Sequence, residues 1–246
     1  MNSTYGTAPG FSLRNWSAWA PGLENQQDWL DWRANPLLPS GDTTPAAACL
    51  PPLLRRRALR LGRMALESLS NIAKTAPAES PVIFASRHGE VLRSQRLMAE
   101  LITEGNVSPQ SFSLSVHNAT IGLHTIAQGC QANVTALAGG NATASALLIE
   151  AMGLLVDGAP SVLIVACDET LPDCYSTYAD EPQAPFAWAA ELVAGEEFMP
   201  GTQLVPPVTK TLPELLDLFR FLIDPQQSVW HATSGSLQWQ RTGQSC

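Results

Sequence analysis

The residues that could carry chemistry in this chain are concentrated between Val134 and Glu169. A short β-prone run, 132–137, enters the turn Ala138-Gly139-Gly140-Asn141, and Ala142-Thr143-Ala144-Ser145-Ala146 follows. Small side chains at such a turn let a helix N-terminus approach other backbone closely. Asn141 is a carboxamide, with no thiolate form, that can hydrogen-bond at a helix terminus. Read by itself, Gly139-Gly140-Asn141 is a helix start with an asparagine cap.

The other reactive side chains are scattered. Cys49, Cys130, Cys167, Cys174 and Cys246 are odd in number and widely spaced, with no Cys-x-x-Cys pair. They predict a reduced, cytoplasmic protein without structural zinc. Cys167 reads as a buried apolar thiol and Cys174 as a loop thiol. His117 and His124 stand seven apart with Cys130 as the one soft ligand nearby. That is too few ligands for a metal site, and the pair reads as polar groups at a subunit contact. Asp168-Glu169 could form an acid pair. It ends an apolar run, however, where the glutamate is expected to hold backbone amides.

These residues need an alternating α/β chain to position them. Around Trp16, Trp19, Trp29 and Trp32 the sequence predicts an N-terminal strand or arm and a short helix over 25–33, packed on the body by the tryptophans. Pro45, Pro51 and Pro52 close that segment. Apolar spacing predicts one amphipathic helix over 53–74, crowded with arginines in its first turns. A buried strand follows at 81–86, then a helix over 91–104 ended by Gly105. Ser108 and Pro109 mark a helix start. A helix over 118–127 is expected to be interrupted by Gly122. The helix from the Asn141 turn runs to about 156, Gly158 stops it, and 161–167 reads as a strand buried on both faces. A surface loop at 170–184, a strand at 186–195, a loop at 196–210, a helix at 212–223 and an edge strand after Val229 complete the chain. Strand–helix–strand with short joins implies a parallel βαβ unit.

Bulk properties narrow the partners. Hydrophobic residues make up 45% of the 246 residues and charged residues only 15%, so part of the surface is expected to be covered. A net charge of -8 argues against nucleic acid. No stretch of apolar residues is long enough to span a membrane, and residues 1–10 do not read as a secretion signal.

With the elements in place, the stretch 134–169 resembles the nucleophile region of the β-ketoacyl synthases of the thiolase superfamily. There a strand leads to a Thr-Ala-Cys-Ser-type turn opening a buried helix. A Gly-Asp-Ala-type turn and an apolar strand ending in Gly-Gly-x-Glu follow. Gly158 falls on the turn glycine and Glu169 on the closing glutamate, with Ala166 and Cys167 in place of the two glycines. Counted back from Glu169 without gaps, Asn141 falls on the nucleophilic cysteine. Upstream, Ser108-Pro109, Phe112 and Ser115-Val116-His117-Asn118-Ala119-Thr120-Ile121-Gly122 are similar to the family's Ser-Pro…Asn-x-x-x-Gly segment. That segment lies at the dimer interface and against the acyl pocket. Trp16 to Gly22, Arg55-Arg56-Arg57 and Pro185 to Val193 resemble the N-terminal domain of short ketosynthase-like proteins of aryl polyene and related type II systems. The resemblance spans roughly residues 12–225.

The resemblance implies an α/β fold: a thiolase-like half, a mixed five-stranded sheet with a buried central helix and covering helices. It implies one domain over 1–246, with 1–50 an arm packed on the core and 226–246 a tail. The family's second half brings two catalytic histidines and a lysine, and His88, His117, His124 and His231 do not match those positions. The implied function is a non-catalytic chain length factor without cofactor or metal. It would pair with a cysteine-bearing ketosynthase and wall off the far end of its acyl tunnel through Ser115, His117, Asn118, Thr120, Ile121 and His124. Arg55, Arg56 and Arg57 would meet an acyl carrier protein or its phosphopantetheine arm. Their bland alternative is a solvated helix face paired with the chain's excess carboxylates. Half a sandwich should leave a large apolar face for the partner. The rival reading is a stand-alone thioesterase or acyltransferase using Cys130 or Cys167, neither of which lies at a small-residue helix start; a structural homo-oligomer is the third.

Overall fold

The computed structural model describes residues 9–201, 209–233, 235 and 237–242. In chain order its elements are β1 (Phe11–Trp19), α1 (Gln26–Trp32), α2 (Pro52–Arg55), α3 (Arg60–Ala73), β2 (Val82–Ala85), α4 (Val91–Glu104), α5 (Pro109–Ser113), α6 (Ala119–Gln128), β3 (Val134–Leu137), α7 (Thr143–Val156), β4 (Val162–Asp168), β5 (Phe186–Ala194), β6 (Phe198–Gly201), α8 (Glu214–Ile223), β7 (Val229–His231) and β8 (Gln238–Arg241).

The strands form one sheet in the order β3-β2-β4-β5-β1-β6-β8-β7. β2 runs parallel to β3 and β4, whereas β5 is antiparallel to both β4 and β1. The mixed five-stranded sheet expected from the sequence is the run β3-β2-β4-β5-β1, and three short strands extend it beyond β1. The N-terminal segment therefore enters the sheet as a strand with neighbours on both sides. β6 lies inside what reads as loop, and 202–208 of that loop fall outside the described residues.

Strand alternation divides the core in two. Val162, Ile164 and Ala166 of β4 join α7 and α8 on one face, while Leu163, Val165 and Cys167 join α3 and α6 on the other. That is the period-2 geometry of a strand covered on both faces. On the first face Phe219 of α8 is held by three tryptophans. Trp188 stacks on it at 5.3 Å, and Trp16 and Trp29 meet it edge-on at 5.4 Å. The Trp188 indole N–H donates to the Leu215 carbonyl at 3.0 Å, so its polar atom is satisfied in the core. The sheet face expected to await a partner is thus largely covered by the chain's own α7, α8 and tryptophans. Apolar exposure is elsewhere: Met98, Leu101 and Ile102 on α4, Phe112 on α5, Ile126 on α6, and Ile149 and Val156 on α7.

Two other expectations are corrected. The helix over 53–74 is broken at 56–59 into α2 and α3. Guanidinium groups of Arg55 and Arg63 donate to the carbonyls of Leu50, Ala58 and Arg55, which holds the break that periodicity alone does not show. Gly122 does not interrupt α6, because its backbone stays helical and its N–H bonds the Asn118 carbonyl at 3.0 Å.

Candidate functional site

The carboxyl ends of β2, β3 and β4 converge at one edge of the sheet, which is where open α/β sheets place their ligand crevices. β3 leads there into the turn that carries Asn141. Gly140 takes φ 58°, a left-handed conformation suited to glycine. The Thr143 hydroxyl accepts from the Gly139 N–H at 3.0 Å and donates to the Gly140 carbonyl at 2.8 Å. Thr143 thus ties the turn to the first residue of α7. Asn141 is exposed, and its side chain makes no hydrogen bond among the described residues. The asparagine-cap reading is therefore corrected: the closing side chain is Thr143, two residues on.

The six residues expected along the partner's acyl path separate. His117, Asn118 and Ile121 line a groove of about 510 Å³ between α6 and β3, together with Gly122, Thr125, Val134 and Ala136. Thr120 and His124 lie on the other side of the helix. Thr120 is buried and donates to Glu90 Oε1 at 3.2 Å, beside Gly62 of α3. His124, 5% exposed, faces a second cavity at the far end of the sheet. Ser115 spends its hydroxyl on the Phe112 carbonyl at 2.8 Å. The helical period explains the division, since 121, 122 and 125 share one face of α6 and His117 and Asn118 stand at its entrance. Thr125, Val134 and Ala136 are groove residues that the sequence reading did not single out.

Around the turn lies a charged network. Asp168 accepts from the Ser86 hydroxyl at 2.8 Å and from the backbone N–H groups of Arg87 and His88 at 3.1 and 3.2 Å. Burial pushes its carboxyl up to about 7, against the pull of those donors. Arg60 pairs with Glu169 at 2.5 Å. The amide-holding role expected of Glu169 belongs to Asp168, and Glu169 serves as an ion-pair partner instead. Arg87 bridges Asp180 and Glu181, and Glu181 also accepts the Glu214 N–H at the start of α8. Arg93 and Glu90 pair at 3.3 Å, and burial raises the Glu90 carboxyl. Partners such as Arg60 and Glu169, 109 residues apart, leave no local signal in the sequence.

Arg60 reaches Glu169 at the carboxyl end of β4, so α2 and the start of α3 stand on the edge that bears the Asn141 turn. Within the basic run Arg55 is turned onto the Leu50 carbonyl and Arg57 is half-buried, leaving Arg56 exposed. Cys167 is fully buried, and burial drives its thiol well above the ordinary range. Cys174 is exposed, as a loop thiol should be. Among the described residues no group of three or more His, Cys, Asp or Glu could hold a metal ion, and no helix is long and apolar enough to cross a membrane.

The sequence profile of the β-ketoacyl synthase N-terminal domain matches residues 29–240. No curated protein matches the sequence. A chain from the complex of a ketosynthase with its chain length factor from Xenorhabdus doucetiae is 25% identical with a TM-score of 0.82, and the alignment covers 94% of this chain and 99% of that one. A chain of the ishigamide ketosynthase/chain length factor is 15% identical with a TM-score of 0.55, covering 78% of this chain and 67% of the other. A type II polyketide synthase acyl-carrier protein in complex with its ketosynthase contributes a third, 12% identical with a TM-score of 0.57, covering 80% and 71%. The latter two share the fold.

Proposed function

The chain belongs to the β-ketoacyl synthase family through its N-terminal domain, and on that premise we propose that it is a chain-length-factor subunit, the non-catalytic partner of a cysteine-bearing ketosynthase in polyene, polyketide or fatty-acid type II biosynthesis. The observation that carries the reading is Asn141 at the exposed strand–turn–helix junction. A carboxamide there cannot take an acyl group from a thioester. The chain of the Xenorhabdus doucetiae ketosynthase–chain length factor complex, aligned over 99% of its length, supports the same assignment.

The partner sits along β3. Among the described residues that strand pairs on one side only, with β2, and leaves the other edge open. In the family two chains join through the strand beside the nucleophile turn, and an incoming strand here would satisfy the free backbone groups. The groove between α6 and β3 then closes against the partner and forms the wall where its acyl tunnel ends. His117, Asn118 and Ile121 keep the role expected of them, joined by Gly122 and Thr125. Arg56, on the edge that bears the turn, is the contact for an acyl carrier protein. Catalysis stays in the cytoplasm with the partner, and an aryl polyene is the product class that the short ketosynthase-like resemblance favours.

The rival, a thiol-dependent acyltransferase or thioesterase, would use Cys130 or Cys167, and neither is suited to it. Cys167 is sealed in the core. Cys130 follows the carboxyl end of α6, which presents carbonyl oxygens rather than the N–H groups an oxyanion needs. Co-expression with the ketosynthase encoded beside it tests the proposal. The expected result is a heterodimer in which elongation needs both chains. A ketosynthase that elongates equally well alone, or acyl label retained on this chain, would overturn it.

A further inference from the structure

A second cavity, of about 960 Å³, opens at the opposite end of the sheet from the Asn141 turn. It lies at the amino ends of β2 and β4 and the carboxyl ends of α3 and α6, with Ala73, Pro77, Val82 and Leu163 in its walls. Several of the polar groups around it are already used. Ser70 donates to the Glu67 carbonyl, Gln128 to the Cys49 carbonyl, and Ser80 pairs with Ser161. His124 differs. It is 5% exposed, lines the cavity and has no hydrogen-bond partner among the described residues. Its ring nitrogens are not sealed in the core, so they stay open to whatever fills the cavity.

We propose that this cavity binds an uncharged, largely apolar molecule bearing one hydroxyl, of the phenol class, with that hydroxyl on His124. The volume suits a small organic ligand. Burial lowers the His124 pKa and keeps the ring neutral, so it offers one donor and one acceptor nitrogen. A hydroxyl can answer either, whichever tautomer is present. Lys74 and Glu79, both exposed, are the one cation and the one carboxylate of the lining and leave no net charge to select an ion. The site is distinct from the Asn141 turn and stands independently of the function proposed above.

The test uses the full purified chain with 4-propylphenol, propylbenzene and 4-propylbenzoate as probes. The read-outs are the His124 ring resonances and calorimetry. The phenol is expected to bind saturably, to shift the His124 signals and to bind roughly tenfold tighter than propylbenzene, the effect of one good hydrogen bond. His124→Leu should erase that ratio while propylbenzene still binds. Ala73→Phe, which fills the cavity and spares His124, should abolish binding of both. No saturable shift, a benzoate preferred over the phenol, or a ratio unchanged in His124→Leu overturns the proposal. Should His124→Leu fail to fold, the Ala73→Phe comparison and the ring shift decide it.

Discussion

His117 presents Nε2 to the carbonyl oxygen of Leu137 at 2.8 Å, fastening the entrance of α6 to the last residue of β3. Because a carbonyl only accepts, Nε2 carries the proton. The other nitrogen faces the turn at Gly89, where an added Cβ would stand 2.8 Å from Nδ1. One imidazole therefore sets the spacing between the ends of β2 and β3 just before the Asn141 turn.

Gly89 has φ 57°, so alanine there is strained by about 1–2 kcal/mol before any clash. Gly89→Ala should cost about 3 kcal/mol in the native chain and only about 1 in a His117→Ala background. Urea unfolding of the four proteins in the cycle measures the coupling. Equal costs in both backgrounds would mean that the ring does not hold the turn.

The isolated chain should retain no label from an acyl thioester. Asn141→Cys should not create a condensing enzyme, because a thiol alone lacks the family's acid–base groups. Mass spectrometry of the intact chain after incubation reads both. Stoichiometric acylation of the native protein at any cysteine would contradict the non-catalytic assignment.

Chain length should respond to the groove face of α6. A Cβ on Gly122 meets nothing within 4 Å, so a side chain there grows into open space. Gly122→Leu should shorten the products, and the helix gains about 1 kcal/mol of propensity from losing a glycine. Ile121 is also a core residue, 1% exposed, so Ile121→Ala should lengthen them while costing about 2–5 kcal/mol of stability. Each buried methylene is worth about 0.8 kcal/mol, so populations should move by about fourfold per methylene. Thr120→Phe, by contrast, should damage folding, since Thr120 is buried against Glu90 and Gly62. Product masses from the reconstituted heterodimer check the first two and thermal unfolding the third, and unchanged masses for Gly122→Leu in an intact complex would leave the groove no measuring role.

Stability should fall as pH rises toward neutrality. Asp168 has a folded pKa raised from 3.8 to about 7, so between those values the folded chain binds more protons than the unfolded one. The carboxyl is protonated in the fold at pH 5 and must ionise while buried above 7, with the Glu181 carboxylate nearby opposing it. From pH 5 to pH 8 the native chain should lose on the order of 2 kcal/mol relative to Asp168→Asn. Chemical unfolding at the two pH values measures this. A difference between the proteins that stays flat, or grows in the native chain's favour, would refute it.

Legibility in the sequence followed the range of the interactions. Ser108 before Pro109, Gly105 after α4 and the apolar run of β4 are local, and each marks its element. The spaced motif around Asn141 marks a turn that opens α7. Thr120 and His124 stand apart from His117, Asn118 and Ile121 because a segment matched in sequence order takes no account of the turn of the helix. The Arg60–Glu169 pair, the cover provided by Phe219 and the closing Thr143 hydroxyl depend on distant chain or backbone geometry, which periodicity does not encode.

The clasp around Phe219 has a consequence for synthesis. Trp16 and Trp29 leave the ribosome early, Trp188 much later, and Phe219 near the end of the chain. α7 covers part of the sheet face they share, and the rest stays bare on a nascent chain until α8 has emerged. Translation that stalls between β5 and α8 therefore leaves that part of the sheet exposed, and such chains are substrates for chaperones. The N-terminal tryptophans thus find their shared ring partner only when α8 folds back on them.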